Sequence, residues 1–449
     1  MTKRSLYLVA LCALNVCMAV LPWGSVYLSL IMAMTYLTFR PNRVLHPNNM
    51  IFAFYGLYVI LSSTLNLILD LISWDYVLPW GQLIFWDRLS LYTLFQAEFT
   101  FLVLYFTFHR FSVSNEASIE AAPDRFEVSL PIVVVLYAVT AGLALTFIQV
   151  TAGLQAWISD YSATYLSMRE GHGLLNVITI VFGNLTVFLL GVQTFYGKKK
   201  LLPIIAALLL MVPLSFIGGV KSRFIFLLIM FLSPYFMLMR FNLKYLAVFT
   251  VSFFTLLYLG TLIRTEGFYA SAPYFLEMLI GYFNSFQLHD AVVTTRDPAL
   301  FETVLQVFTK PLQALGFIYD PDANFDISVM LTKEFFPDQW FQEHATQQWP
   351  LDTELYLNYC GFYLSWIPLM IYGYLISVLY RTAVLRRNMH LMPIFIMEFM
   401  RIFSTMRGTL IPWESFIYVV QYLVLYINCR LALRPVAKEG GVVNGQFAS

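Results

Sequence analysis

An all-α integral membrane protein of about twelve transmembrane helices with one large external loop is the fold that this sequence predicts, on three observations. Hydrophobic residues make up 59% of the 449 and aromatic residues 17%, against only 12% charged, and the mean hydropathy is +0.70. So little charge cannot cover a globular solute with a wettable surface, whereas lipid accepts such a chain. Apolar runs of membrane-crossing length recur along most of the sequence, and residues 264–354 form the one long, mostly polar interruption.

Runs long enough to cross, roughly 17 to 25 residues, fall near 5–21, 24–39, 50–69, 89–108, 127–149, 174–196, 201–217, 224–239, 245–262, 355–380, 391–406 and 412–429. Each is read as a helix because only helices and closed barrels satisfy their own backbone groups in lipid. Lys3 and Arg4 precede the first run as in a signal peptide, but no small-residue cleavage site follows and a second run starts almost at once, so it is read as an uncleaved helix. The runs at 201–217 and 224–239 are short, which suggests local thinning of the bilayer or a partly re-entrant backbone.

Twelve crossings place both ends on one side. That side collects Lys3, Arg4, Arg40, Arg43, Arg110, Arg125, Lys198, Lys199, Lys200, Arg240, Lys244, Arg381, Arg386, Arg387, Arg430, Arg434 and Lys438 in short loops and tails, so both termini are expected in the cytoplasm. Arg88, Arg169, Lys221, Arg223, Arg264, Arg296, Lys310, Lys333 and Arg407 face the other side, and Arg401 lies inside a span. Within the external loop, Phe275, Leu276, Leu279, Ile280 and Phe283 share one helical face, and Phe335, Phe336, Trp340 and Phe341 form an aromatic cluster suited to the headgroup zone. Short interfacial helices are therefore expected there, and residues 1–449 read as a single polytopic domain containing the 264–354 loop.

The net charge of +1 is spread over short loops, which gives no basis for a nucleic-acid partner. Cys12, Cys17, Cys360 and Cys429 lie in apolar runs without the paired spacing of a metal or redox site and read as small buried hydrophobes. No internal repeat or half-to-half symmetry of an inverted-repeat transporter is evident, and no Walker, dinucleotide, HExxH or G-x-S-x-G motif is present.

Four clusters carry candidate chemistry. Gly218-Gly219-Val220-Lys221-Ser222-Arg223 joins two short spans; its glycines allow close backbone approach, and Lys221 and Arg223 suit phosphate oxygens, unless it is a plain hairpin with solvated charges. In Leu262-Ile263-Arg264-Thr265-Glu266-Gly267, Arg264 is either a snorkelling helix-end charge or a second anion contact, with Glu266 as its possible pair. In the third cluster Glu398 and Arg401, one turn apart, read as a structural ion pair, whereas Arg407 next to Gly408 has no such sequence partner and is the better functional candidate. The fourth, residues 350–361, places Asp352 and Glu354 at a helix start. They serve there as dipole or N-cap residues, with Asp352 or Thr353 the cap, or one of them is a general base activated by burial. His172, His289 and His344 share no metal-ligand spacing, which leaves a base role for one of them open, and Glu98 reads as a hydrogen-bonding group between helices.

In this order and topology, over roughly residues 200–430, the chain resembles the Wzy-type oligosaccharide repeat-unit polymerases. The resemblance rests on the Gly-Gly-x-x-x-Arg turn at 218–223, Arg-x-x-Gly at 264–267, Glu-x-Tyr-x-Asn-x-x-Gly at 354–361 and Arg-Gly at 407–408. It departs from some relatives in having Ser222 before Arg223, where a Thr-type residue often stands, and in lacking an acidic residue beside Arg407. The resemblance implies a GT-C-like polymerase architecture in a bacterial inner membrane. It implies a glycosyltransferase, without cofactor, metal or nucleotide sugar, that moves a growing glycan from undecaprenyl pyrophosphate to the non-reducing end of a second lipid-linked repeat unit on the periplasmic face. Lys221, Arg223, Arg264 and Arg407 would hold pyrophosphate, Glu354 or Asp352 would deprotonate the acceptor, and partners would include membrane lipids, a chain-length regulator and a flippase. An O-antigen ligase, with His344 as its expected loop histidine, and a lipid-linked oligosaccharide flippase are the alternatives.

Overall fold

The structure, a computed structural model, describes residues 2–74, 89–113, 125–159, 164, 171–217, 221–242, 244, 247, 250–251, 254–255, 258, 272–314, 316–318, 326–343, 346–412 and 414–436. It is an almost wholly helical membrane protein. Among the described residues seven helices are long and apolar enough to cross a bilayer: α1 (Lys3–Val20), α3 (Pro47–Leu71), α4 (Leu91–Phe111), α5 (Leu130–Thr151), α7 (Gly173–Tyr196), α16 (Trp366–Leu385) and α18 (Ser415–Ala432). Between them lie the shorter helices α2 (Gly24–Thr38), α6 (Gly153–Ser159), α8 (Leu201–Ile217), α9 (Lys221–Phe236) and α17 (Met392–Met406). The predicted span at 245–262 falls mostly outside the described residues.

Among the described residues the segment read as the large loop carries six helices: α10 (Ala272–Phe283), α11 (Ser285–Thr295), α12 (Gln306–Ala314), α13 (Ile327–Phe335), α14 (Pro337–Glu343) and α15 (Leu351–Asn358). One departure from the sequence reading matters for the site. The run at 355–380 is not one span: α15 ends at Asn358, Cys360 and Gly361 take left-handed φ of 52° and 57°, a short 3-10 turn follows, and the crossing helix starts at Trp366. Gly361 is required there, because a Cβ would meet the Tyr92 hydroxyl and the positive φ strains any other residue. A second departure is a small antiparallel ribbon, β1 (Arg125–Val128) on β2 (Leu433–Val436), with Arg125 opposite Val436.

The chain divides into two compact units, each assembled from separate stretches. The first comprises 1–112, 240–377 and 401–416; the second comprises 113–239, 378–400 and 417–449. In the first, α1 packs on α2, and α3 and α4 pack on α2 and on each other. Glu98 on α4 accepts a hydrogen bond from Asn15 of α1 at 2.9 Å, as expected of a polar tie between helices. Helices α11, α13 and α15 and the residues beside them add a core of Leu288, Val292, Ile327, Leu331, Phe336, Trp349, Tyr356 and Leu357. Of the helical face read from the sequence, Leu279, Ile280 and Phe283 are buried and Phe275 and Leu276 half-buried, so it packs inward at its C-terminal end; of the expected aromatic cluster, Phe335 and Phe336 pack against Trp349 and Phe341 points outward.

In the second unit α7 is central, packed by α5, α8 and α9. Gly191 lets α7 and α9 touch backbone to backbone, since a Cβ there would run into the Phe231 carbonyl. Glu398 accepts a hydrogen bond from the Tyr422 hydroxyl. Of the cysteines only Cys429 is buried; Cys12 is exposed on α1, and Cys17 and Cys360 are intermediate.

Candidate functional site

The site is built on α15. Pro350 sits at its N-cap with extended backbone, so the helix begins at Leu351, and neither Asp352 nor Thr353 is the cap expected from the sequence; both lie in the first turn. Carboxylates favour that end of a helix. All eight residues of α15 are buried, although five of them are polar or charged or carry a hydroxyl. Burial on this scale demands partners, and each comes from far along the chain. Asp352 Oδ1 accepts from Thr100 Oγ1 at 2.7 Å, and its backbone carbonyl accepts from Gln96 Nε2 at 2.7 Å. Thr353 Oγ1 lies 3.1 Å from His289 Nδ1. Tyr356 donates its hydroxyl to the Arg296 carbonyl at 2.7 Å. Asn358 accepts from the Thr303 and Val304 amides and donates to Thr303 Oγ1.

These ties separate the two candidate bases. Asp352 is turned towards α4, fully buried, with Oδ2 unpartnered among the described residues. Glu354 instead lines a small cleft of about 30 Å³ together with Thr303, Val304, Val307, Asp326, Thr409, Ile411, Pro412 and Glu414. That is room for a water-sized group or one hydroxyl. Its Oε2 accepts the Leu410 amide at 2.7 Å. Glu354 and the segment after Arg407, more than fifty residues apart, are thus joined.

Burial raises three of the carboxyls here, Glu354, Asp352 and Glu414. It raises Glu354 to about 8, with the Asp326 charge adding to the rise and the Leu410 amide opposing it. Burial raises Asp352 to about 7 against the Thr100 hydrogen bond. Glu414 is also raised by burial, with Asp326 in the same sense and Lys310 and Arg401 opposed. Lys310 is lowered by burial, while Glu414 and Asp326 act to hold its proton. His289 is lowered to about 3 by burial and is neutral at physiological pH. The cleft is therefore an acidic pocket in which Glu354 holds its proton into the neutral range, with Lys310 interacting with Glu414 and Asp326.

The cationic candidates are distributed unevenly. In the first unit the Arg407 guanidinium stands 5.8 Å over the Tyr58 ring, and its Nε has no hydrogen-bond partner among the described residues. Tyr58 donates to Gln348 Oε1 at 3.1 Å, immediately before Trp349 and α15. In the second unit Arg223 gives one Nη to Asn184 Oδ1 at 2.7 Å and to the Ile180 carbonyl at 3.3 Å, with its guanidinium 5.2 Å over Phe226. Part of its fork is thus spent on α7. Lys221 opens α9, but its side chain is not described; Arg264, His344 and the Gly218-Gly219 turn lie outside the described residues.

Sequence reasoning missed Asp326, Glu414 and Lys310. Asp326 had a local signal, since its Oδ1 caps α13 through the Ser328 amide at 2.7 Å. Glu414 and Lys310 had none, because only the fold brings them beside Glu354. Comparison of the chain with protein-family models, with curated proteins and with solved structures finds no match.

Proposed function

We propose that the protein is a polysaccharide polymerase: an inner-membrane glycosyltransferase that transfers a growing glycan from undecaprenyl pyrophosphate onto the non-reducing end of a second lipid-linked repeat unit. The observation that carries the reading is Glu354, a buried carboxyl with a pKa of about 8, facing a cleft sized for one hydroxyl and held by a backbone amide. A general base works best with a pKa near the operating pH. In the proposed step the acceptor hydroxyl oxygen attacks the anomeric carbon and its proton passes to Glu354. The carbon–oxygen bond to pyrophosphate breaks, the electron pair leaves with the phosphate oxygen, and Glu354 later returns its proton to water. Guanidinium and ammonium groups stabilise that leaving group more in the transition state than before it.

Arg407, in the segment whose Leu410 amide holds Glu354, is the cation on which this proposal rests; Lys221, Arg223 and Arg264 are assigned to pyrophosphate by the sequence resemblance alone. Asp352 is assigned a supporting role, because its carboxyl is engaged by Thr100 away from the cleft. The proposal includes twelve crossings, cytoplasmic termini and a periplasmic cleft, supported by the charge bias of the short loops. An envelope-polysaccharide gel of a strain lacking the gene tests it. Acceptor carrying a single repeat unit is expected. Acceptor carrying none would assign the ligase reaction instead, and repeat units stalled in the cytoplasm would assign transport.

A further inference from the structure

Helix α12 has two faces that answer to different surroundings. Leu305, in the turn just before the helix, and Phe308 and Leu312 on it recur at helical spacing and are 55%, 64% and 40% exposed. The opposite side carries Thr303 and Val307, both buried in the wall of the Glu354 cleft, and Lys310, which interacts with Glu414 and Asp326. An outward apolar stripe on a helix whose inner face is polar and occupied is the pattern of a helix lying in a membrane surface.

The position of α12 in the fold identifies what covers the stripe. The strand-like segment that leads into it is fastened to the end of α15: Ala299 donates to the Tyr356 carbonyl, Phe301 to the Asn358 carbonyl, and Cys360 back to Ala299. Eight residues beyond Asn358 the crossing helix α16 begins at Trp366, which is 46% exposed and follows the 77% exposed Tyr363. Exposed Trp and Tyr at the end of a span mark the headgroup level. The backbone feeding α12 is thus fixed to the short segment that leads into α16, which holds α12 near the level marked by Tyr363 and Trp366.

We infer that α12 is seated in the bilayer surface, with Leu305, Phe308 and Leu312 in lipid and its inner face walling the cleft, so that the headgroup of a membrane-borne lipid substrate reaches Glu354 past this helix. The seating stands without the polymerase reading; the route for the headgroup rests on it. Lys310 is the first cation such a phosphorylated headgroup would meet.

The test uses the full chain with its four cysteines replaced by serine, in vesicles of phosphatidylethanolamine and phosphatidylglycerol. Nitroxides are placed singly at Leu305→Cys, Phe308→Cys, Leu312→Cys and, as the aqueous reference, Glu302→Cys. Relaxation by oxygen is expected to exceed relaxation by a water-soluble nickel chelate at the three stripe positions and to fall below it at 302; chelate-dominated relaxation at the stripe would overturn the seating. For the route, Phe308→Glu, an exposed position with no packing to lose, is expected to lower polymer formation about tenfold with protein still in the membrane. Unchanged polymer from Phe308→Glu would overturn the route alone. Unchanged polymer from Glu354→Gln would instead remove the polymerase assignment of the cleft and leave the spin-label result standing.

Discussion

Helices α7 and α15 are both deeply buried, yet they satisfy their polar groups in opposite ways. Helix α7 handles its hydroxyls locally. Thr179 and Thr194 donate to carbonyls four residues back at 2.8 Å, the hydroxyl tie to a neighbour is the Thr140–Thr186 pair at 2.9 Å, and Asn184 with the Ile180 carbonyl takes the Arg223 guanidinium. Close packing through Gly191 supplies the rest. Helix α15 does almost nothing locally: its side chains reach Thr100, His289, Arg296, Thr303 and Leu410. The first is the economy of a crossing helix, whose polar groups must survive wherever lipid surrounds them. The second keeps ionisable groups inside at a cost that only a folded site offsets, which is why a site is read from α15 and a scaffold from α7.

The contrast can be broken at either helix. The largest expected effect is on chemistry: Glu354→Gln should lower polymer formation by roughly 10²- to 10⁴-fold, the usual contribution of a general base, whereas Asp352→Asn should lower protein yield more than turnover per molecule. Polymer ladders normalised to membrane-resident protein separate the two. Next is Gly191→Ala, which pushes the backbones of α7 and α9 apart and should cost about 3 kcal/mol, read as a fall in unfolding midpoint in detergent. Asn358→Ala strands the Thr303 and Val304 amides and should cost about 2 kcal/mol, with faster proteolysis of the 296–318 segment as its signature.

The smallest expected effect is on pH dependence. Glu354 and Asp352 hold protons more tightly folded than unfolded, so the stability they add is full below the ordinary carboxylate range and is lost as pH rises through about 7 to 8. Detergent unfolding midpoints should fall over that window, and the fall should shrink in Glu354→Gln and Asp352→Asn. A midpoint that rises over the same window would contradict the burial of these carboxyls in their protonated form.

Much of the scaffold was legible because a membrane helix is written in run length. The apolar runs at 174–196 and 201–217 coincide with Gly173–Tyr196 and Leu201–Ile217 almost residue for residue. The break between Asn358 and Trp366 was not legible, because Cys360-Gly361-Phe362-Tyr363-Leu364 is as apolar as a span and only the left-handed backbone interrupts it. At the site, Glu354 and Arg407 stood out as charges beside apolar runs. Asp326 and Glu414 did not, since a carboxylate in a polar loop or a helix start has an ordinary local explanation. The different fates of Asp352 and Glu354, two residues apart, depend on whether Thr100 or Leu410 lies opposite, which no local pattern encodes.

The central claim is that Glu354 accepts the acceptor proton, and the most direct measurement is the pH dependence of turnover by purified protein reconstituted with lipid-linked repeat units. The rate should climb with pH through about 8 as Glu354 loses its proton, and Glu354→Gln should be slower by at least about a hundredfold with that limb absent. A Glu354→Gln protein that turns over at the wild-type rate with the same pH profile would contradict the account.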